Sequence, residues 1–269
     1  RTQMSWFYRG FAKVFTRSAE YAAAMEAIGI GRERIERLMP GIDTGAFDAR
    51  FRDEDGAIWR RLANEGVREE SVKALYVGRV SVEKNLPMLT KVWRQARESC
   101  TRAGVDAQLM VVGDGPYRAA MEAELRGTGA VFLGFRHGEE LSTIYASSDL
   151  FVFPSTTDTL GQVVMESQCA GLPVIVTDQG GPAGVVDDGV SGFVLSAGEG
   201  AVQGWAECIT RLARDPELRR RMGAAGREKM APMTIRRSFE HFWTVHERAM
   251  EGAPTTQTAA ASMPRASQR

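Results

Sequence analysis

From residue 73 onward, short apolar runs alternate with longer amphipathic segments: "KALYVGR", "AQLMVVG", "AVFLG", "DLFVFP", "PVIVT" and "GFVL". That alternation predicts an α/β domain, a parallel sheet wrapped by helices. Several runs are apolar at consecutive positions, as strands buried on both faces require, where an alternation of period two has no use. Between the runs, Leu86, Leu89, Trp93 and Ala96 mark one face of a helix, with Asn85 as its candidate N-cap. Pro116 is placed to start the next helix, because its missing N–H falls where helix donors are unsatisfied anyway. Gly161 is expected to open another helix, and Gly171 to close it in a left-handed conformation. Further on, Trp205, Ile209 and Leu212 form a stripe, and "DPELRRRMGAAGREKM" reads as a polar helix. Ile235, Phe239, Phe242 and His246 form a final stripe in which His246 is expected to be partly buried.

The flanking chain lacks this alternation. Residues 40 to 56, "PGIDTGAFDARFRDEDG", carry turn formers and charges and read as a linker, with a domain boundary near residue 52. Residues 1–52 are thus expected to be the end of a preceding domain plus linker, and residues 53–250 the sheet domain. Residues 251–269 have no periodicity and are rich in Ala, Thr, Ser and Pro, the composition of a disordered tail. No internal repeat is evident. The opening "RTQMSWFYRGFAKVFTRSAEY" begins at Arg1 and reads like the middle of a longer polypeptide. Its Trp6, Phe7, Tyr8, Phe11, Val14 and Phe15, interleaved with Arg9 and Lys13, suit a face packed on other protein or an amphipathic surface for anionic lipid. Packing is favoured, because aromatic stripes more often fill cores.

Charge and cysteine content narrow the function classes. Lys plus Arg equals Asp plus Glu at 34 each, so no overall field attracts nucleic acid or an anionic membrane, and any anion site is local. Cys100, Cys169 and Cys208 are an odd number without metal-ligand spacing, which indicates small core residues in a reducing compartment. No apolar run approaches the roughly 18 residues of a membrane span. The expectation is a cytoplasmic protein, with the opening segment as its candidate for peripheral contact with the inner face of a membrane.

In a doubly wound sheet, ligands bind beyond the carboxyl ends of the strands, so the informative residues lie just after each apolar run. Four loops qualify: Arg79 and Lys84 after the first run, "GDGP" at 113–116, "FRHG" at 135–138, and the stretch "FPSTTDTLGQVVMESQCAGLPVI". Arg79 and Lys84 are spaced to converge on a diphosphate, where charge-assisted hydrogen bonds contribute about 1.5 to 3 kcal/mol each; the plain alternative is two solvated cations. The turn "TLGQ" at the start of a helix is a second anion cradle, since helix N-termini present free N–H groups and the positive end of a dipole. Asp158 and Glu166 suit neutral sugar and ribose hydroxyls, or else Asp158 simply caps the helix and Glu166 faces solvent. Other signals are weaker. "GDGPYR" has Arg118 at the third glycine position of a dinucleotide fingerprint and follows the second run rather than the first, against a nicotinamide enzyme. The "DED" at 53–55 lies in a charged linker without a preceding strand. His137, His241 and His246 have no metal-ligand spacing with the cysteines, so no metal is expected, and no G-x-S-x-G elbow is present.

Taken in order, "PGIDTGAF", "LYVGRVSVEKN", "MVVGDGP", "VFLGF", "DLFVFPSTTDTLGQVVMESQCAGLPVIVTDQGGP" and "GFVL" resemble the family 4 retaining glycosyltransferases, glycosyl transferases group 1, of the GT-B fold. Each motif is weak; the ordered set, from about residue 40 to 230, is highly specific. The resemblance implies the C-terminal Rossmann-like, doubly wound donor domain of a hexosyltransferase. Such an enzyme moves a sugar from a UDP- or GDP-sugar to a glycolipid, glycan or small molecule with retention of configuration and no cofactor. On this resemblance Arg79 and Lys84 match the pair that holds the diphosphate, Glu166 the acid on the ribose, and Asp158 the acid on the donor sugar. The Leu160, Gly161 and Gln162 backbone matches the sugar and phosphate cradle, and Phe135 with Arg136 falls where the base is bound. Gly78, Gly113 and Thr159 complete the donor-binding set. The chain departs from the pattern in three ways. Asp158 is one methylene shorter than the usual Glu, "PGID" is one residue short of the usual linker, and only the last elements of an acceptor domain, residues 1 to about 35, fit before it. The rival implications are a nucleotide-sugar binding module without turnover and, less favoured, a nucleotide-sugar epimerase on the same twin-domain fold.

Overall fold

A computed structural model describes residues 6–8 and 10–251. Near its start, strands β1 (Val14–Thr16) and β2 (Ile35–Arg37) pair in parallel and are joined by the helix Ala19–Ala27. Ser18 caps that helix, its Oγ accepting from the Tyr21 amide at 3.2 Å.

The six apolar runs are six strands: β3 (Val72–Val77), β4 (Ala107–Val112), β5 (Ala130–Gly134), β6 (Leu150–Phe153), β7 (Val174–Thr177) and β8 (Gly192–Leu195). All pair in parallel, in the order β5-β4-β3-β6-β7-β8. The chain therefore starts in mid-sheet, winds to one edge, returns beside β3 and winds to the other. Every residue of β4, β6 and β7 is buried, whereas edge strand β5 alternates buried and half-buried, as strands with one and two covered faces should.

Helices cover the sheet with the faces that their spacing predicts. Leu86, Leu89, Trp93 and Ala96 of the Leu86–Arg102 helix are buried, and they pack toward the Val202–Arg214 helix, whose Trp205, Ile209 and Leu212 are buried in turn. Full burial of leucine and isoleucine side chains such as these stabilises the fold by about 1.5–3 kcal/mol each. Gly161 (φ 74°) stands at the N-cap of the Gln162–Cys169 helix, and Gly171 (φ 85°) follows its end.

Three local expectations are corrected. Asn85 occupies the N-cap position, but in the left-handed region (φ 57°), and its side-chain amide donates to the Pro154 carbonyl at 3.3 Å instead of capping. Pro116 lies in a turn, and the helix begins at Arg118. The opening aromatic stripe agrees with either of its two readings, since Trp6, Phe7 and Phe11 are exposed, while Val14 is buried and Phe15 half-buried; Arg9 lies outside the described residues. The final helix, Ile235–Glu251, forms as expected, yet Ile235, Phe239, Phe242 and His246 are exposed and only Val245 is buried. Periodicity dictates a helix with one apolar face; it does not supply the surface that covers it. Here Phe242 meets Phe15 at 5.1 Å between ring centroids, and Phe239 stacks on Trp243.

The linker is tied down: Ile42 is buried and its amide donates to Met233 O at 2.9 Å. Cys100 and Cys169 are buried and Cys208 half-buried, all as free thiols. Among the described residues no helix is long and apolar enough to cross a membrane. The expected tail lies beyond Glu251, outside the described residues.

Candidate functional site

Strands β3 and β6 are neighbours in space but their connections lead in opposite directions, so a crevice opens beyond their carboxyl ends. Both key loops leave from there. After β3 come Gly78 (φ 152°) and, beside it after β4, Gly113 (φ 123°). A Cβ at Gly113 would lie 2.0 Å from Gly78 O, so the two glycines permit backbone contact that no side chain would allow. The Gly113 amide donates to Gly134 O at 2.8 Å, extending the ladder to β5.

The β3 loop then makes a short helical turn, Val82–Lys84, which returns Lys84 toward β6. Its Nζ lies 2.7 Å from Asp158 Oδ2, with both side chains largely buried. Ser155 Oγ donates to the same oxygen at 2.6 Å, and the Asp158 carbonyl accepts from the Gly181 amide at 2.8 Å. Spacing suggested that Lys84 and Arg79 act as a pair. Without a ligand, Lys84 is joined to Asp158, and Arg79 lies at the surface 3.7 Å from Glu83.

Beyond Asp158 the chain passes Thr159 and half-buried Leu160 to Gly161. A Cβ at Gly161 would sit 2.9 Å from Pro182 Cγ, so both its positive φ and its crowding require glycine. Gln162 then opens a helix that carries Glu166 inward. Glu166 is 8% exposed, which removes the solvent-facing alternative. Tyr145 Oη donates to its Oε2 at 2.9 Å. Burial pushes the Glu166 carboxyl above its ordinary value, and hydrogen bonds from Tyr145 and Gln162 pull it part of the way back. Burial and the Glu166 carboxylate together hold the Tyr145 hydroxyl well above the usual phenol range, so it remains a donor.

In the loop after β5, Phe135 is 64% exposed and stacks on His137. Arg136 is held by two carboxylates: its Nη2 lies 2.7 Å from each carboxylate oxygen of Glu65, and its Nε 3.5 Å from Glu140. A single nitrogen shared between both oxygens, with a second carboxylate near Nε, tethers the guanidinium on the Glu65 side. This leaves Phe135 and the loop backbone as the parts presented outward.

Sequence reasoning missed Ser155, Tyr145 and the two glycines after β7. Gly180 (φ 76°) and Gly181 press against the Asp158–Leu160 loop, since Cβ atoms there would lie 2.7 Å from Asp158 O and 2.1 Å from Thr159 O. The signal was the adjacent "GGP" within a quoted motif. Nothing in the sequence marks Tyr145, which comes from a neighbouring helix, Gly138–Ser147.

The strand order and the crevice at its reversal define a Rossmann-like α/β domain, one half of a GT-B fold. Residues 58–229 match the model of the family described as glycosyl transferases group 1, and the chain belongs to that family. It is 36% identical over 195 residues to a sulfoquinovosyl transferase of Arabidopsis thaliana, covering 70% of this chain and 35% of that protein. To a GDP-mannose-dependent alpha-mannosyltransferase of Mycobacterium tuberculosis it is 34% identical over 201 residues, covering 74% and 48%. The chain thus spans about half or less of the length of these relatives. Among solved structures, Anabaena HepE in complex with UDP and glucose superimposes with a TM-score of 0.75 at 18% identity, over 91% of this chain and 66% of that one.

Proposed function

We propose that this chain carries the donor-binding half of a retaining, family 4 hexosyltransferase that takes a UDP- or GDP-sugar. The observation that carries the reading is the Lys84–Asp158 contact of 2.7 Å at the crevice where the winding of the sheet reverses. Residues 53–250 are the donor domain, and residues 1–52 close an acceptor-side domain and link it. The glycosyl acceptor is a glycolipid, glycan or small molecule. The relatives named for GDP-mannose and the neighbours holding UDP support both nucleotides as candidates.

In this reading Lys84, Arg79 and the N-terminus of the Gln162–Cys169 helix stabilise the negative charge that develops on the departing diphosphate, without a metal. Asp158 holds Lys84 before the donor arrives and accepts from donor sugar hydroxyls afterwards. Glu166 accepts from the ribose, and Phe135 offers its exposed ring to the base. Gly78 and Gly113 keep the strand ends close enough for the phosphates to approach backbone, and Thr159, Leu160, Gly161 and Gln162 form the cradle.

Calorimetric titration with UDP and GDP, followed by a donor hydrolysis or transfer assay, tests the reading. Nucleotide binding with turnover supports it in full. Binding without turnover identifies the alternative, a nucleotide-sugar binding module. Absence of binding by either nucleotide overturns it.

A further inference from the structure

Glu166 is held from behind by a tyrosine, and the tyrosine by the linker. Tyr145, near the end of the Gly138–Ser147 helix, is fully buried and donates its hydroxyl to Glu166 Oε2 at 2.9 Å. Its ring lies against two others. Phe151 of β6 meets it at 5.9 Å between centroids, tilted by 39°, and Phe47 meets it edge-on at 5.5 Å and 89°. Phe151 belongs to a strand buried along its whole length, whereas Phe47 is half-buried and belongs to the linker, residues 40–56. The linker also grips the two residues that follow Tyr145. Arg52 Nη1 donates to Ala146 O at 3.3 Å, and the Asp53 amide donates to Ser147 Oγ at 3.0 Å. An edge-to-face pair depends on orientation, and a close-packed ring turns only if its neighbours move. The direction of the Tyr145 hydroxyl therefore depends on where the linker sits.

We propose that Tyr145 and Phe47 are positioning residues for the ribose of the donor: Tyr145 aims the Glu166 carboxylate, Phe47 holds Tyr145, and the linker thereby sets how well the ribose is bound. The inference rests on the donor reading above, in which Glu166 accepts from ribose hydroxyls. A carboxylate accepts about four hydrogen bonds, so those from Tyr145 and Gln162 leave capacity for a ligand while they limit rotation of the group. Tyr145 has no exposed surface and acts only through Glu166. A carboxylate free to turn would still accept from the ribose, but each binding event would then have to order it, which weakens affinity. Contacts to the diphosphate and the base come from other loops and do not pass along this path.

The test is calorimetric titration of the 269-residue chain and its variants with UDP, GDP and the 2′,3′-dideoxy form of each, which keeps base and diphosphate and lacks both ribose hydroxyls. The ratio of the two affinities isolates the ribose. In the wild type it should be roughly 5 to 30 for whichever nucleotide binds. Tyr145→Phe keeps the ring and should lower the ratio about fivefold, the equivalent of one neutral hydrogen bond, with the dideoxy affinity unchanged. Phe47→Leu should lower it in the same direction, and Phe47→Tyr, which keeps a ring against Tyr145, should retain it. The double variant Tyr145→Phe with Phe47→Leu should fall no further than Tyr145→Phe alone, because both act through one carboxylate. Melting curves verify that each variant is folded; should Tyr145→Phe fail to fold, Phe47→Leu decides. A merely structural role would weaken both nucleotide forms alike, so an unchanged ratio in the variants overturns the proposal. A wild-type ratio near one, with nucleotide bound, also overturns it and leaves donor binding standing. Binding of neither nucleotide refutes the donor reading and takes the inference with it.

Discussion

Glu166 offers a prediction in which folding and binding move in opposite directions. Its carboxyl is 8% exposed, and its hydrogen-bond partners, Tyr145 and Gln162, are both neutral. An ionised carboxylate in such a place loses hydration that two neutral donors only partly replace. Glu166→Gln keeps the volume and the oxygen that accepts from Tyr145 Oη at 2.9 Å, and removes the charge. The expected gain is about 1 kcal/mol at neutral pH, within the range common for stabilising substitutions, or about 2–4 °C in melting temperature for a domain of this size. The sign with pH follows from linkage. The folded carboxyl is raised above its ordinary 4.5, so the stability from its protonated form is full below about that pH and lost as pH rises through the folded value. The difference between variant and wild type should therefore be near zero at pH 4 and grow to a plateau above the raised value. Nucleotide affinity should move the other way. Replacing a charged acceptor by a neutral one on ribose hydroxyls costs about 1 kcal/mol per bond, a factor of roughly 5 to 30 for one or two bonds. Melting curves from pH 4 to 8 and calorimetry with UDP and GDP measure both. A loss of stability at pH 7 would refute the burial argument, and an unchanged affinity would refute the ribose role.

Three further outcomes are expected. Lys84→Ala in an intact enzyme should lower kcat/KM by about two to three orders of magnitude, the cost of removing a positioned charge from the leaving group; unchanged kinetics would remove Lys84 from the mechanism. Gly113→Ala should destabilise the fold by about 3 kcal/mol or more in urea denaturation, because the new Cβ would meet Gly78 O at 2.0 Å in a backbone conformation with φ 123°; a variant as stable as wild type would mean that the strand ends can part. Lys73 is buried beneath Trp59, with its Nζ donating to Arg68 O and Ser71 O at 2.7 and 2.6 Å, and burial lowers its pKa to about 8. Between that value and the ordinary 10.5 the unfolded chain holds a proton that the folded chain has released, so stability should rise with pH over this window, and Lys73→Met should abolish the rise.

What was legible in the sequence was what a single segment encodes. The six apolar runs, the buried faces of the helices bearing Trp93 and Trp205, and the turn at Gly161 follow from local periodicity and backbone preference, because a strand or helix shows its buried face in its own spacing. The loops that carry Lys84, Asp158 and Glu166 were legible for the same reason, as they fall directly after recognisable strands or in the following helix. The partners were not. Lys84 meets Asp158 from 74 positions away, Arg136 is claimed by Glu65 from 71, and Glu166 is buried by a tyrosine of another helix. Which strand lies beside which decides such contacts, and strand order depends on how whole layers pack. The last helix makes the same point in reverse: its spacing announces an apolar face, but only the tertiary structure shows that Phe239 and Trp243 remain exposed. Local chemistry wrote the elements and their loops, while the order of the sheet decided which charges meet and which stay free for a ligand.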